Sequence, residues 1–336
     1  MTEGFAADWL ALREPFDLAA RSFALARRLA DRLPKRPRLM DLGGGTGSMF
    51  RFLAPIIGRG QDWMLLDADD ALLEDAFGRT SAWARRQGFA AAAEGDELSV
   101  STPHGLWRMQ AVARDLSAPS TVLSMAPPPS PPATSLSLPA SPPSWSGLAR
   151  PSTSAGRASR QSVDGRAKNG HDEREMPGHD EFDAVVCSAL LDLVSTAWLA
   201  RLCDALTVPF LACLSADGRD TWQPRHPHDA LVRTAFRRDM RRDKGFGPAL
   251  GTAAPNVLMT GGYATSSVPS DWHIPRAALR MQRALIDGTA DAARNARPAQ
   301  ADAITVWQEA RLRQALRGRL AITIGHRDIL FLPPGG

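Results

Sequence analysis

Cysteine is scarce in this sequence, and that scarcity excludes several classes of protein. The 336 residues contain three cysteines, Cys187, Cys203 and Cys213, each in an apolar stretch and without CxxC spacing. An odd number of thiols placed in this way excludes a disulfide framework and a cysteine-based zinc site. The pattern indicates small buried side chains in a reducing compartment, and no metal is expected.

Long uninterrupted hydrophobic runs are also absent. The most apolar region, 184–214, is interrupted by Asp192, Arg201 and Asp204, whereas a membrane span needs about 20 nearly uncharged residues. The first ten residues, MTEGFAADWL, lack the charged start and apolar core of a secretory signal. We therefore expect a soluble, cytoplasmic protein with no membrane partner.

Lysine is the third scarce residue type. Only Lys35, Lys168 and Lys244 occur among 40 basic residues, and the net charge is +4. Arginine is spread along the whole chain rather than concentrated in one patch, which is typical of a compositional bias. Nucleic acid is therefore not the expected partner.

Short apolar runs alternate with helical patterns over much of the chain. Expected strands are 38–42, 62–67, 182–187 and 208–215, with a β-hairpin between Glu97 and Asp115; expected helices include 8–33 with a break at Pro15, 48–57, 71–87, 194–206 and 229–244. Strands that alternate with helices predict a parallel sheet covered on both faces.

The chain is predicted to form one α/β domain in two halves, 1–117 and 181–336. Residues 118–180 are rich in proline and serine, and such a composition buries too little apolar surface to offset the entropy of ordering. We expect this insertion to be disordered. The second half is expected to carry substrate-side elaborations, a long loop at 245–275 and a terminal hairpin formed by 320–324 and 329–332.

The most informative segment is Asp41-Leu-Gly43-Gly-Gly45-Thr-Gly47, between a strand and a helix. Glycine in such a turn allows positive φ and close approach of a ligand to the backbone. The dinucleotide pattern GxGxxG fails in every register, and a P-loop would need a lysine that is missing. What remains is an acid at the strand end followed by glycine at every second position.

This DxGxGxG segment resembles motif I of the class I S-adenosylmethionine (SAM)-dependent methyltransferases. The resemblance implies SAM as cofactor and a doubly wound, Rossmann-like sheet of seven strands with the last strand antiparallel. It also implies that Gly43, Gly45 and Gly47 let the backbone pass close to the ribose and methionine portion. Asp41 would then lie near the methionine amino group.

Further cofactor residues follow from later strand ends. Asp67 ends the next strand about 20 residues after the glycines, where nucleotide-binding α/β folds place an acid for ribose hydroxyls. By the resemblance, Asp115 accepts from the adenine amine and the backbone of Leu116 meets a ring nitrogen. The strand that ends at Ser188 resembles motif IV, which faces both cofactor and acceptor.

The acceptor site is expected at the carboxyl ends of the strands. His226 and His228 follow the fifth strand, so we predict that one of them acts as general base or binds an anionic acceptor. Asp229 beside them is expected to cap the next helix. By the resemblance, the charged N-terminal stretch from Arg13 to Arg21 is expected to cover the cofactor.

The expected activity is methyl transfer to a small-molecule acceptor, because no appended nucleic-acid-binding domain is visible. Three alternatives remain: a nucleic-acid or protein methyltransferase that uses the arginines of the 229–244 helix, a non-catalytic SAM-binding protein, and a nicotinamide-dependent oxidoreductase.

Overall fold

The computed structural model describes residues 7–117, 182–260 and 264–332. The insertion predicted at 118–180 lies outside these residues. The helices are α1 (Ala7–Ala20), α2 (Phe23–Ala30), α3 (Ser48–Ile57), α4 (Asp70–Arg86), α5 (Thr196–Ala205), α6 (Asp229–Met240), α7 (Ala254–Met259), α8 (Leu279–Ala296) and α9 (Ala301–Leu316). The strands are β1 (Arg38–Leu42), β2 (Gln61–Asp67), β3 (Ala90–Glu94), β4 (Glu97–Thr102), β5 (Gly105–Ala113), β6 (Ala184–Ser188), β7 (Phe210–Gln223), β8 (Ala264–Pro269), β9 (Trp272–Ile274) and β10 (Ala321–Leu332).

The described strands form one sheet in the order β3-β4-β5-β2-β1-β6-β7-β10-β8, with β9 paired to β10. Strands β5, β2, β1, β6 and β7 are mutually parallel. β10 runs antiparallel to both β7 and β8. The predicted α/β sheet with an antiparallel last strand is therefore confirmed. Seven neighbouring strands, from β5 to β8 in the sheet order, form the predicted sheet, and β3, β4 and β9 are additional.

The central strands are buried because helices cover both faces of a parallel sheet. β1 and β6 have almost no exposed side chains. α3 buries nearly its whole circumference, and its Phe50 ring lies 5.4 Å from Trp63 of β2 and 6.3 Å from Trp107 of β5, both edge to face. Such aromatic pairs add stabilisation beyond area burial. This packing holds the start of α3, and the glycine turn before it, against the sheet.

The terminal hairpin predicted around 325–328 is wrong, because β10 is one continuous strand. It pairs with β7 from Ala321 to Phe331, with register shifts on either side of His326. Gly325 lies at the first shift, where a Cβ would stand 2.6 Å from the Cβ of Arg219. Glycine is needed here for close approach to the neighbouring strand and not for a turn.

Two other boundaries also differ from the prediction. The 245–275 segment contains α7, β8 and β9 as well as loops. The N-terminal helix runs through Pro15 and ends at Ala20. The break comes at Ser22, whose hydroxyl caps α2 by accepting from Leu25 N and whose own N–H donates to Asp328.

Candidate functional site

A cavity of about 1310 Å³ opens at the carboxyl ends of the parallel strands. This is the edge at which open α/β sheets bind ligands. Residues from three parts of the chain line this cavity. They include the strand ends and the glycine turn (Asp41, Gly43, Gly45, Ser48, Asp67, Asp115, Leu116, Ser188), α1 (Leu10, Arg13, Asp17), and the C-terminal half (Asp239, Arg242, Asp243, Lys244, Gly245, Phe246, Ala292, Asn295). The volume exceeds that of most single-ligand pockets.

The glycine turn is pressed against β2. Gly43, Gly45 and Gly47 have φ of 67°, 48° and 78°, which only glycine adopts without strain. The N–H groups of Gly43 and Gly44 both donate to Leu66 O, at 2.8 and 3.0 Å. A Cβ on Gly44 would lie 2.9 Å from Leu65 Cγ. The turn therefore presents bare backbone to the cavity.

Asp41 is the most unusual side chain at the site. It is 1% exposed, it is one of the residues that line the cavity, and neither carboxylate oxygen has a hydrogen-bond partner among the described residues. Burial raises the pKa of Asp41 to about 8, against the opposing effect of Arg21 and with a smaller contribution from Asp67. A buried polar group without a partner is costly, and it is expected where a ligand supplies the partner.

Asp67 ends β2 on the other side of the turn. Its Oδ2 accepts from Gly45 N at 2.9 Å and its Oδ1 accepts from Asp69 N at 3.1 Å. Burial raises the pKa of Asp67, and these backbone hydrogen bonds oppose the rise. A carboxylate offers about four acceptor positions, so Asp67 can also accept from a ligand. Asp67 thus also holds the glycine turn in place, which the sequence pattern did not predict.

Asp115 and Leu116 lie beyond the end of β5. Asp115 Oδ1 accepts from both the N–H and the hydroxyl of Ser117, at 2.8 and 2.6 Å. Leu116 is buried, and its carbonyl accepts from the indole N–H of Trp198 at 2.7 Å. This segment is therefore fixed in position at the side of the cavity nearest β5.

Arg21 connects the N-terminal helices to the predicted site. Its Nη2 donates to Ser188 Oγ at 2.8 Å and to Ser48 Oγ at 2.9 Å, and its Nη1 donates to Ser48 O at 3.0 Å. Arg21 is 3% exposed. The sequence placed Arg21 only in a charged stretch, since contacts across 167 residues leave no local signal.

α1 itself lies against the cavity. Arg13 and Asp17 form a buried ion pair at 3.0 Å, with the guanidinium 4.8 Å from the centre of the Trp272 ring. Glu14 accepts from Arg51 of α3 at 2.6 and 2.8 Å. α1 therefore lines the cavity and is tied to α3, while its predicted role as a cover over the cofactor stays a prediction.

His226 and His228 do not line this cavity. The backbone N–H of His228 donates to His226 Nδ1 at 3.2 Å, and that of His226 donates to Asp229 Oδ2 at 2.9 Å. The pKa of His226 is lowered, mainly by burial and to a smaller extent by the positive charge of Arg311.

The cause of this displacement is the length of β7. It pairs with β6 only up to Cys213 but continues, paired with β10, to Gln223. Ten further residues span at most about 33 Å when fully extended, and both histidines follow the far end of this longer strand. Sequence order alone suggested that they followed the strand end closely.

The arginine-rich helix is α6, and several of its arginines already bind other groups of the protein. Arg233 pairs with Asp220, Arg237 donates to Gly218 O, and Arg242, just after the helix, pairs with Asp239 at 2.6 Å.

The cavity wall formed by Asp239 to Phe246 has no recognisable sequence motif.

The described residues offer no group of three or more His, Cys, Asp or Glu side chains arranged to hold a metal ion. None of the described helices has the length and apolar character needed to cross a membrane.

No protein-family model matches this chain, and no curated protein does. Solved structures do. A SAM-dependent methyltransferase from Geobacter sulfurreducens in complex with S-adenosyl-L-homocysteine is 14% identical over 95% of this chain and 91% of that one, with a TM-score of 0.38. A putative type II methyltransferase from Anaeromyxobacter dehalogenans is 13% identical over 94% and 97%, with a TM-score of 0.41. A Haemonchus contortus phosphoethanolamine N-methyltransferase 2 is 11% identical over 93% and 52%, with a TM-score of 0.36. Such identities and scores leave the activity to be inferred from the site itself.

Proposed function

We propose that this chain is a class I SAM-dependent methyltransferase that acts on a small-molecule acceptor. The observation that carries the proposal is Asp41, a buried carboxylate that faces the cavity from beneath a turn of bare glycine backbone and lacks a protein partner. A ligand with a cationic amine beside a nucleoside supplies that partner. SAM is such a ligand, whereas a dinucleotide would bring a pyrophosphate towards this carboxylate.

The other residues of the site fit the remaining parts of the cofactor. The carboxylate of Asp67 accepts from the ribose hydroxyls. Asp115 and the backbone of Leu116 meet the edge of the base, and Ser188 lies at the β6 end where the cofactor and acceptor meet. SAM, when bound, supplies the electrophilic methyl group; the protein binds it, orients it and excludes water.

The rest of the cavity is the proposed acceptor site. Its walls are the Arg13–Asp17 pair of α1, the end of α6 near Asp239, and Ala292 and Asn295 of α8. Walls from three different helices suit a small molecule better than a polymer. The pairing of Arg233 and Arg242 with acids also reduces the charge available to a nucleic acid. His226 and His228, which lie elsewhere, have no part in this proposal.

Calorimetric titration with S-adenosylhomocysteine and, separately, NAD(H) tests the cofactor. We expect micromolar binding of S-adenosylhomocysteine alone. Asp67→Asn keeps one oxygen to accept from Gly45 N but loses the negative charge and the bond from Asp69 N, and it should weaken that binding at least about tenfold. Asp291→Asn is the matched control, because Asp291 is 67% exposed on α8.

Failure of the folded wild type to bind S-adenosylhomocysteine would refute the proposal, and NAD(H) binding would favour the oxidoreductase. Methyl transfer from labelled SAM to candidate amines, hydroxy compounds and carboxylic acids then separates an enzyme from a non-catalytic SAM-binding protein.

A further inference from the structure

The turn formed by Asp243 to Gly247 (the 243–247 turn) is a built feature of the cavity wall. Asp243 Oδ1 accepts from Gly245 N at 2.8 Å and from Gly247 N at 3.0 Å. Gly245 and Gly247 have φ of 100° and 85°, which a side chain would strain. The turn therefore holds one conformation, with Phe246 between its two glycines.

The 243–247 turn is docked on the segment that begins α5. Ser195 and Ala249 form a β-bridge, and Leu250 N donates to Val194 O at 2.8 Å. A Cβ on Gly247 would lie 3.4 Å from Ser195 Cβ, so the turn passes close to the Ser195 side chain. These bonds fix the turn relative to the sheet edge.

The Phe246 ring is supported from behind and faces the cavity. It lies 5.8 Å from the Trp198 ring, edge to face. Trp198 is itself 1% exposed, and its indole N–H is bonded to Leu116 O. Phe246 is half-buried and, like Leu116, it lines the cavity. One chain of contacts thus joins the ring to the segment after β5.

The order of the strands determines what this ring meets. The glycine turn follows β1, Asp67 ends β2, and Leu116 lies after β5, which is the next strand outward. A nucleoside whose ribose is held by Asp67 therefore extends its base towards Leu116 and Phe246. We infer that Phe246 covers the face of the purine base and determines affinity for the nucleoside part of the ligand. This inference rests on the proposed function for its ligand.

An aromatic face suits this position for a physical reason. Stacking of a base on an aromatic side chain contributes about 1–3 kcal/mol by alanine substitution, which corresponds to roughly 5- to 150-fold in affinity. Trp198 limits the freedom of the Phe246 ring, so little entropy is lost when a base stacks on it.

The test is calorimetric titration of wild type, Phe246→Ala and Phe246→Tyr with S-adenosylhomocysteine and with adenosine. Phe246→Ala should weaken both ligands by the same factor, about 10-fold or more. Phe246→Tyr, which keeps the aromatic face, should restore both to within about threefold of wild type. Leu316→Ala is the control, since Leu316 is 65% exposed at the end of α9.

Asp41→Asn provides the orthogonal measurement. It should weaken S-adenosylhomocysteine and leave adenosine unchanged, because adenosine has no amine for Asp41. If Phe246→Ala binds both ligands within twofold of wild type while wild type binds them, the inference is overturned and the proposed function stands. If the wild type binds neither ligand, both are overturned. Circular dichroism of each unliganded variant identifies loss of folding.

Discussion

Binding of S-adenosylhomocysteine near pH 7 should be accompanied by release of a proton from Asp41. Burial raises the pKa of Asp41 to about 8 in the free protein, so about 90% of the molecules carry that proton at pH 7. An ammonium placed beside the carboxylate favours its charged form and lowers a pKa by about 1–3 units. A fall of about two units would release about 0.8 proton per ligand bound.

Calorimetry in buffers of different ionisation enthalpy measures this number directly. The observed binding enthalpy should vary linearly with buffer enthalpy at pH 7, where the ligand amine is fully protonated. Asp41→Asn should remove that variation at the same pH. A wild-type enthalpy that is the same in all buffers at pH 7 would refute the assigned role of Asp41.

The same carboxyl group affects stability, with a defined sign. Its folded pKa of about 8 exceeds the ordinary 3.8, so the folded state holds a proton that the unfolded state loses as pH rises. The contribution of Asp41 is present below about pH 4 and is lost as the pH rises towards about 8. At pH 7 the loss is about 4 kcal/mol. Asp41→Asn should therefore raise the melting temperature of the unliganded protein at pH 7 by several degrees while it weakens ligand binding.

Three other predictions concern positions around the site. Gly44→Ala should destabilise the protein by about 1–3 kcal/mol, because its Cβ would overlap a leucine of β2; Gly78→Ala, in open space on α4, should stabilise by up to about 1 kcal/mol, and denaturant unfolding measures both. Burial lowers the pKa of His326 to about 4. The contribution of this histidine to the free energy of unfolding should therefore fall by about 3 kcal/mol as the pH drops from 6.5 to 4. Thermal unfolding at pH 7 and 4.5 should show a smaller loss of stability in His326→Leu than in the wild type. His226→Ala and His228→Ala should leave S-adenosylhomocysteine affinity within twofold of wild type, and a larger loss by calorimetry would contradict their position outside the cavity.

Local sequence pattern was sufficient for the parallel core of the sheet. β1 and β2 are short continuous apolar runs, and α3 and α4 follow them at helical spacing, so their types could be read from a window of a few residues. The glycine turn was also recognisable, because the chemistry of a tight approach requires glycine at particular positions. The terminal hairpin was predicted wrongly because the same residue type, glycine, serves two different purposes. Gly325 was interpreted as a turn, although a long partner strand makes it a point of close approach.

Sequence alone determined the order of β1, β2, β6 and β7 with the helices between them, and which acids and glycines follow the strand ends. Tertiary structure decided the rest: the missing partner of Asp41, the reach of Arg21 to Ser188, the distance of His226 from the cavity, and the position of Phe246. None of these depends on near neighbours in the chain. Burial, pKa and distance arise from contacts between segments tens to hundreds of residues apart, and only the folded chain brings those segments together.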